Sequence, residues 1–300
     1  METGREYMEA ISMNIVFFPK DYQKIVKEVY DLMADEYDVF DPRTGPFFIN
    51  SYRTCDHYVK KMLPYWANKI VLDVGCGTGL QTLQFAKDAF RVIGIDVSEG
   101  LIQKAKTKAE SLGLNNIDLI KADATCIPLA DDSVDYVSSY GDVIGHIPEY
   151  QKAIKEMARV CRSGGIVTIE YDNKWHLGLI YSSKELLNAF RVRSEGDLRN
   201  WTYVYLRFPK KVNLIYKTFT YSEIKSLLKE SGLELMKIAG IHIFSSIIPP
   251  RYHTPSNNTY LFHNFFTSLI LNIGKIDFVL KEIYPFNRMG SSSILISRKK

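Results

Sequence analysis

Val71-Leu-Asp-Val-Gly-Cys-Gly-Thr-Gly79 is the stretch on which the reading of this chain turns. Apolar residues from Ile70 to Val74 read as a buried strand. The strand runs into a turn with glycine at every second position, Gly75, Gly77 and Gly79. A helix then begins near Leu80 and continues through Gln81-Thr-Leu-Gln-Phe-Ala86. Glycines let such a turn close tightly and present bare backbone to whatever lies against it.

The rest of the 300 residues is ordinary in bulk: 46% hydrophobic, 24% charged, net charge +4. That is enough chain for one large or two modest domains with a substantial core. The mild charge calls for no nucleic-acid partner. Cys55, Cys76, Cys126 and Cys161 lack paired metal-type spacing and read as reduced thiols of a cytosolic protein. Charged residues punctuate the first thirty positions, so no signal peptide is expected. No apolar run approaches the ~20 residues of a membrane span.

Around the opening stretch, strands and helices alternate. Upstream, Ile15-Val-Phe-Phe18 is a short apolar patch ending at Pro19. Ile25, Val26, Val29, Leu32 and Met33 mark a helix from Asp21, and Pro42, Gly45 and Pro46 break the chain. A second helix is expected over Tyr52 to Leu63, stopping before Pro64. Downstream, strands are expected at 91–95, 117–120, 136–140, 166–171, 233–248 and 292–297. Ser98 caps one intervening helix, Pro148 opens another, and Thr220-Tyr-Ser-Glu223 is a capping box for a third. Leu177 to Arg193 looks helical, and Trp201–Tyr205 with Val212–Tyr216 form a hairpin around Pro209-Lys-Lys211. The alternation predicts an α/β fold: a doubly wound, seven-stranded, mostly parallel sheet with right-handed crossovers. Three parts follow: an N-terminal helical leader (1–66), a core (67–248 with 291–300, carrying the hairpin at 199–219), and an insertion (249–290).

A strand, glycine turn and helix form a general nucleotide-binding unit. The dinucleotide fingerprint wants its third glycine at the place held here by Leu80, which disfavours a pyrophosphate. Asp96 ends the second strand, where a carboxylate can take both ribose hydroxyls. Asp123 follows the third strand beside Ala124, where a carboxylate can accept from an adenine amino group. Open parallel sheets bind ligands along that carboxyl edge, so three consecutive units deliver groups to one place.

At these residues the chain resembles the class I S-adenosylmethionine-dependent methyltransferases, a Rossmann-like fold whose last strand is antiparallel. Val71 to Gly79 is similar to the family's first motif almost letter for letter. Gly94-Ile-Asp-Val-Ser98 resembles the second and Ala122-Asp-Ala124 the third. Asp135-Tyr-Val-Ser-Ser-Tyr140 and Arg162-Ser-Gly-Gly-Ile-Val167 occupy the next two. The leader Tyr30-Asp-x-x-Ala-x-x-Tyr37-Asp38 is similar to that of the small-molecule branch, which includes ubiquinone/menaquinone-biosynthesis-like C-methyltransferases. The resemblance implies S-adenosyl-L-methionine as cofactor and S-adenosyl-L-homocysteine as product. It implies Gly75, Cys76, Gly77 and Gly79 at the methionine end, with Asp73 supporting the turn or binding the amino group indirectly. Asp96 and Val97 would hold the ribose, Asp123 and Ala124 the adenine, and Tyr140 the methionyl part. Tyr30 and Tyr37 would help to close the pocket.

The acceptor is narrowed mainly by what is missing. The Asp/Asn-Pro-Pro-aromatic run of exocyclic-nitrogen methyltransferases is replaced by Ser138-Ser-Tyr-Gly141, and neither a paired-glutamate loop nor a Pro-Cys nucleophile is present. A small, hydrophobic or lipid-like acceptor, methylated on carbon, oxygen or nitrogen, is therefore expected. His146 after the fourth strand and His176 after the fifth are the candidate catalytic groups, with no metal. Tyr171, Asp172 and Trp175 leave the same edge, while Tyr22 and His57 on the leader are weaker candidates. In this fold the insertion joins the sixth strand to the seventh at the carboxyl edge. It is expected to act as a lid, a core extension or, through 261–281, a membrane-surface contact, with Lys275 and Lys281 near head groups. Three rival readings are an RNA methyltransferase, a nicotinamide-dependent oxidoreductase and a non-catalytic cofactor-binding subunit. Oligomeric state is not legible.

Overall fold

The computed structural model describes residues 21–35, 37, 46–62, 66–181, 198–204, 211–248 and 260–300. The patch at 15–19, the breakers Pro42 and Gly45, Pro64, the expected helix beyond 181, Pro209 and the start of the insertion lie outside these residues.

Two leader helices, α1 (Tyr22–Met33) and α2 (Pro46–Met62), precede the sheet. The core then runs β1 (Ile70–Val74), α3 (Leu80–Phe85), β2 (Arg91–Asp96), α4 (Glu99–Ser111), β3 (Ile117–Lys121), β4 (Val134–Ser139), α5 (Tyr150–Val160) and β5 (Cys161–Asp172). A separate two-stranded ribbon, β6 (Leu198–Val204) and β7 (Lys211–Lys217), follows. The chain closes with α6 (Tyr221–Glu230), β8 (Leu233–Ile241), α7 (Tyr260–Leu280) and β9 (Ser292–Lys299). The main sheet has seven strands in the order β3-β2-β1-β4-β5-β9-β8. All neighbours are parallel except β9, which is antiparallel to both β5 and β8. The order reverses between β1 and β4, so the carboxyl ends of those strands open a crevice there.

Local chemistry accounts for the element ends. Ser98 accepts from the Leu101 amide at 3.1 Å and caps α4. The capping box at Thr220 and Glu223 is complete in both directions. Apolar residues of β1, β4 and β5 are shared between two clusters. Leu72, Val137 and Ile169 pack on one face with α5, and Val71, Tyr136 and Ile166 on the other with Tyr58 of α2.

Several boundaries differ from expectation. The second leader helix begins at Pro46, because proline at the first helical position lacks only an amide that would have no partner anyway. The helix after Pro148 starts at Tyr150, behind a 3₁₀ turn over Val143–His146. The fifth strand begins at Cys161, its pairing jumping from Val134↔Cys161 to Tyr136↔Ile166 so that Arg162–Gly165 bulge out. The sixth main-sheet strand stops at Ile241, since His242 turns to φ 55° and the next amides bond to Asp277 instead of a strand. The residues after β5 form a 3₁₀ turn over Leu177–Tyr181.

The insertion helix α7 lies along α2 at the β8 end of the sheet. Asn50 of α2 donates to the Ile270 carbonyl at 3.2 Å, and any side chain at Gly274 would strike Asn50.

Candidate functional site

The opening glycine turn is built against the residues after β4. Gly75 sits at φ 71°, and a Cβ there would collide with the Val143 side chain. Gly77, at φ 54°, is roofed by the Tyr37 ring, whose edge stands 3.9 Å from where a Cβ would be. Cys76 is buried, its Sγ 3.9 Å from the Gly77 carbonyl. Beneath the turn, Asp73 is a buried clasp. Thr82 of α3 donates to it at 2.6 Å and Ser138 of β4 at 2.9 Å, tying three elements together. Burial raises its pKa to about 6 despite those donors.

Asp96 ends β2, the neighbour of β1 in the sheet. It accepts from the Gly77 amide on one oxygen and the Ser98 amide on the other, both at 2.9 Å. Burial raises its pKa and the amides oppose that shift. Half-buried Val97 follows it. Asp123, one strand further, accepts from the Thr125 amide and hydroxyl at 2.8 Å and from Gln23 of α1 at 3.0 Å. Ala124 is buried behind it.

The leader is fastened over this edge. Asp31 of α1 accepts from the Ser98 hydroxyl at 2.6 Å and from the Gly100 amide at 2.9 Å. The Tyr30 ring meets Tyr37 at 6.3 Å and meets His146 edge-on at 6.2 Å, while His146 packs on Tyr216 of β7 at 6.0 Å. Three separate segments thus join in one aromatic wall beside the end of β4.

Tyr140 is buried, its hydroxyl bonded to that of Tyr136 at 3.0 Å. His176 lies beside Gly178, where a Cβ would meet both its ring and the Ser246 carbonyl. Tyr171 is buried edge-on to Phe219, Trp175 is partly exposed, and Tyr22 is enclosed with Leu214. His57 packs between Tyr58 and Phe278 on the seam with α7.

Two groups escaped the sequence. Asp142, directly after β4, is held at φ 54° and accepts from the Asp172 amide at 3.2 Å. Burial, then the neighbouring Asp172 and Glu170 carboxylates, pushes it well above the usual carboxylate range. Its left-handed backbone is a recurrent feature of functional positions, but aspartate in a loop gives no signal of that. The second group is a chain, Ser51–His242–Ser245–Asp277. Asp277 accepts from the Ser245 hydroxyl at 2.6 Å and from the Phe244 and Ser245 amides. The Ser245 oxygen, its proton so committed, is 3.2 Å from Nδ1 of His242, and Nε2 is 2.6 Å from the Ser51 hydroxyl. In that polarity Nδ1 carries the proton and Nε2 accepts from Ser51. The four residues span almost the whole chain, so no local motif could reveal them.

The arrangement suits an adenosyl ligand with an amino-acid tail. The Tyr37 ring stands over Gly77 with room for at least a methyl group between them, and carboxylates at successive strand ends offer acceptors to hydroxyl and amino groups. Among the described residues no cluster of side chains could hold a metal.

Comparison with known proteins points the same way. Residues 71–165 match a family described as a methyltransferase domain. The demethylmenaquinone methyltransferase of Bacillus cereus is 24% identical over 228 residues, covering 71% of this chain and 89% of that protein. Among solved structures, the [4+2]-cyclase SpnF superposes with a TM-score of 0.59 at 20% identity, covering 95% of this chain and 98% of its own. A methyltransferase from Methanosarcina mazei gives 0.54 at 20%, covering 80% and 96%. Since one of these neighbours is a cyclase, the fold alone does not define the chemistry. The family match and the sequence relatives do: residues 71–165 form a methyltransferase domain, and the chain is an S-adenosylmethionine-dependent methyltransferase of the class I fold, with S-adenosyl-L-methionine as its cofactor.

Proposed function

We propose that the protein transfers the methyl group to a small, hydrophobic, lipid-like acceptor, a quinol-like aromatic being the class to test first. The observation that carries this is the wall of Tyr30, His146 and Tyr216 beside the end of β4. Flat apolar rings are accommodated by such a wall, and the name of the Bacillus cereus relative supports a quinone-derived substrate.

The bound cofactor supplies a methyl carbon already activated by its sulfonium, so the protein's task is to orient the acceptor and exclude water. Alignment of the reacting atoms can contribute on the order of 7–11 kcal/mol at best. Gly75, Gly77 and Gly79 would bear the methionine end, Asp96 the ribose, and Asp123 the adenine amino group. Tyr30 and Tyr37 would close the site from the leader. His146 would orient the acceptor ring. Asp142, its pKa raised by burial and by the neighbouring carboxylates, would in its ionised form be the stronger base that takes the proton the acceptor loses.

Calorimetry with S-adenosylhomocysteine, followed by transfer of labelled methyl to a short-chain reduced demethylnaphthoquinone, tests the reading. Binding by the wild type, loss of at least tenfold in affinity in Asp96→Ala, and label on the quinol are expected. Label on unmodified tRNA but not on the quinol would replace the reading with an RNA methyltransferase.

A further inference from the structure

Helix α7 is apolar on two opposite sides. At 3.6 residues per turn, Ile270, Gly274 and Asp277 point one way and are buried against α2 and the turn after β8. Phe265, Ile276 and Val279 fall within an arc of roughly 60° on the opposite side. They are 61%, 54% and 71% exposed. Of the eleven exposed large hydrophobic side chains among the described residues, five lie between Phe265 and Tyr284. Single exposed apolar residues need no explanation, but a row extending about 21 Å along one helix does.

One flank of that row is cationic. Lys275 is exposed on α7 itself. Phe278, at the seam with α2, has the Arg53 guanidinium 5.0 Å and the Lys281 amine 3.5 Å from its ring centre. Lys61, also exposed on α2, joins Arg53 and Lys237 in depressing Lys281, whose pKa falls chiefly through burial. Against these, Glu282 is engaged by Tyr58 at 2.6 Å and Lys237 at 3.3 Å. Among the described residues no helix is long and apolar enough to cross a bilayer, so the row cannot be half of a span.

We infer that the outward face of α7 docks flat on an anionic lipid surface, its apolar row entering the acyl boundary and the Arg53, Lys61 and Lys275 flank meeting the head groups. An apolar row bordered by cations on a helix that is not apolar enough to span is the form such contacts take. Charge complementarity selects this occupant over a second copy of the chain, whose own cationic flank would have to face the first. The inference does not depend on the acceptor, because it concerns only where the protein sits.

Co-sedimentation of the full chain with phosphatidylcholine vesicles, with and without phosphatidylglycerol, tests it. Binding is expected only with the anionic lipid and should fall as salt rises. The double change Ile276→Ser with Val279→Ser should lower partitioning at least tenfold with an unaltered melting temperature, because both side chains are already in water. Lys61→Glu with Lys275→Glu should also lower it, by more than tenfold, at about 1 kcal/mol per cation removed and again per like charge introduced. Phe90→Ser, an exposed residue elsewhere, should change nothing. Equal binding to both vesicle types, or none to either, would overturn the inference. So would a dimer in light scattering that the Ile276→Ser with Val279→Ser change dissolves, since the face would then belong to a second copy.

Discussion

Asp73 shows how much of the site's behaviour rests on single side chains. Its folded pKa of about 6 lies above its ordinary 3.8, so the folded chain binds more protons than the unfolded one between those values. Its contribution is therefore full below the unfolded pKa and is lost as pH rises through about 6. At 1.36 kcal/mol per unit, the loss is at most about 3 kcal/mol. Urea unfolding of Asp73→Asn at a series of pH values should show a flatter decline between pH ~4 and ~6 than the wild type. The glycines divide differently. Gly75→Ala must move Val143 and hold alanine at φ 71°, so it should lower stability by about 2–4 kcal/mol. Gly77→Ala has room beneath Tyr37 and strains only its backbone, so it should fold with a loss of about 1–2 kcal/mol yet bind S-adenosylhomocysteine at least tenfold more weakly. Calorimetry and melting together separate the two.

Among elements, the leader helix α1 carries the most consequence for its size. It is joined to the core by Asp31 at the start of α4, by Gln23 at Asp123, and by the aromatic contact of Tyr30 with His146. Replacing Asp31 leaves the Gly100 amide and the Ser98 hydroxyl without that acceptor but touches nothing in the sheet. Asp31→Ala should expose α1 to limited proteolysis and weaken S-adenosylhomocysteine about three- to tenfold, the worth of one or two net hydrogen bonds. The melting of the sheet should shift little. An equally protected leader would show that Tyr30 and Gln23 suffice to hold it.

For the whole molecule, Asp277 binds the insertion to the last parallel strand. It is the shared acceptor for the turn after β8 and the end of the chain that reaches Ser51 of α2 through His242. Asp277→Ala would strand two backbone amides and a hydroxyl, at a cost of about 2–4 kcal/mol. Hydrogen exchange should then accelerate in both α7 and the 243–247 turn, and less in β1 to β3. Such coupling between Ser51 and Asp277 runs through contacts 191 and 32 residues apart, joined by the local pair His242 and Ser245.

Period and punctuation were enough to read a doubly wound, mostly parallel sheet and the capped helices, because a strand's alternation and a cap's donor count are local properties. The positions of Gly75 to Gly79, Asp96 and Asp123 at the carboxyl ends of β1, β2 and β3 were legible in the same way, since that spacing follows from strand length and turn chemistry. Less was legible where a residue's meaning depends on what folds against it. Only the tertiary structure brought Tyr30, His146 and Tyr216 into one wall, held Asp142 in a left-handed turn among other carboxylates, and ended β8 at His242. It also decided which side of α7 is buried, since a helix apolar on opposite sides offers the sequence no way to choose.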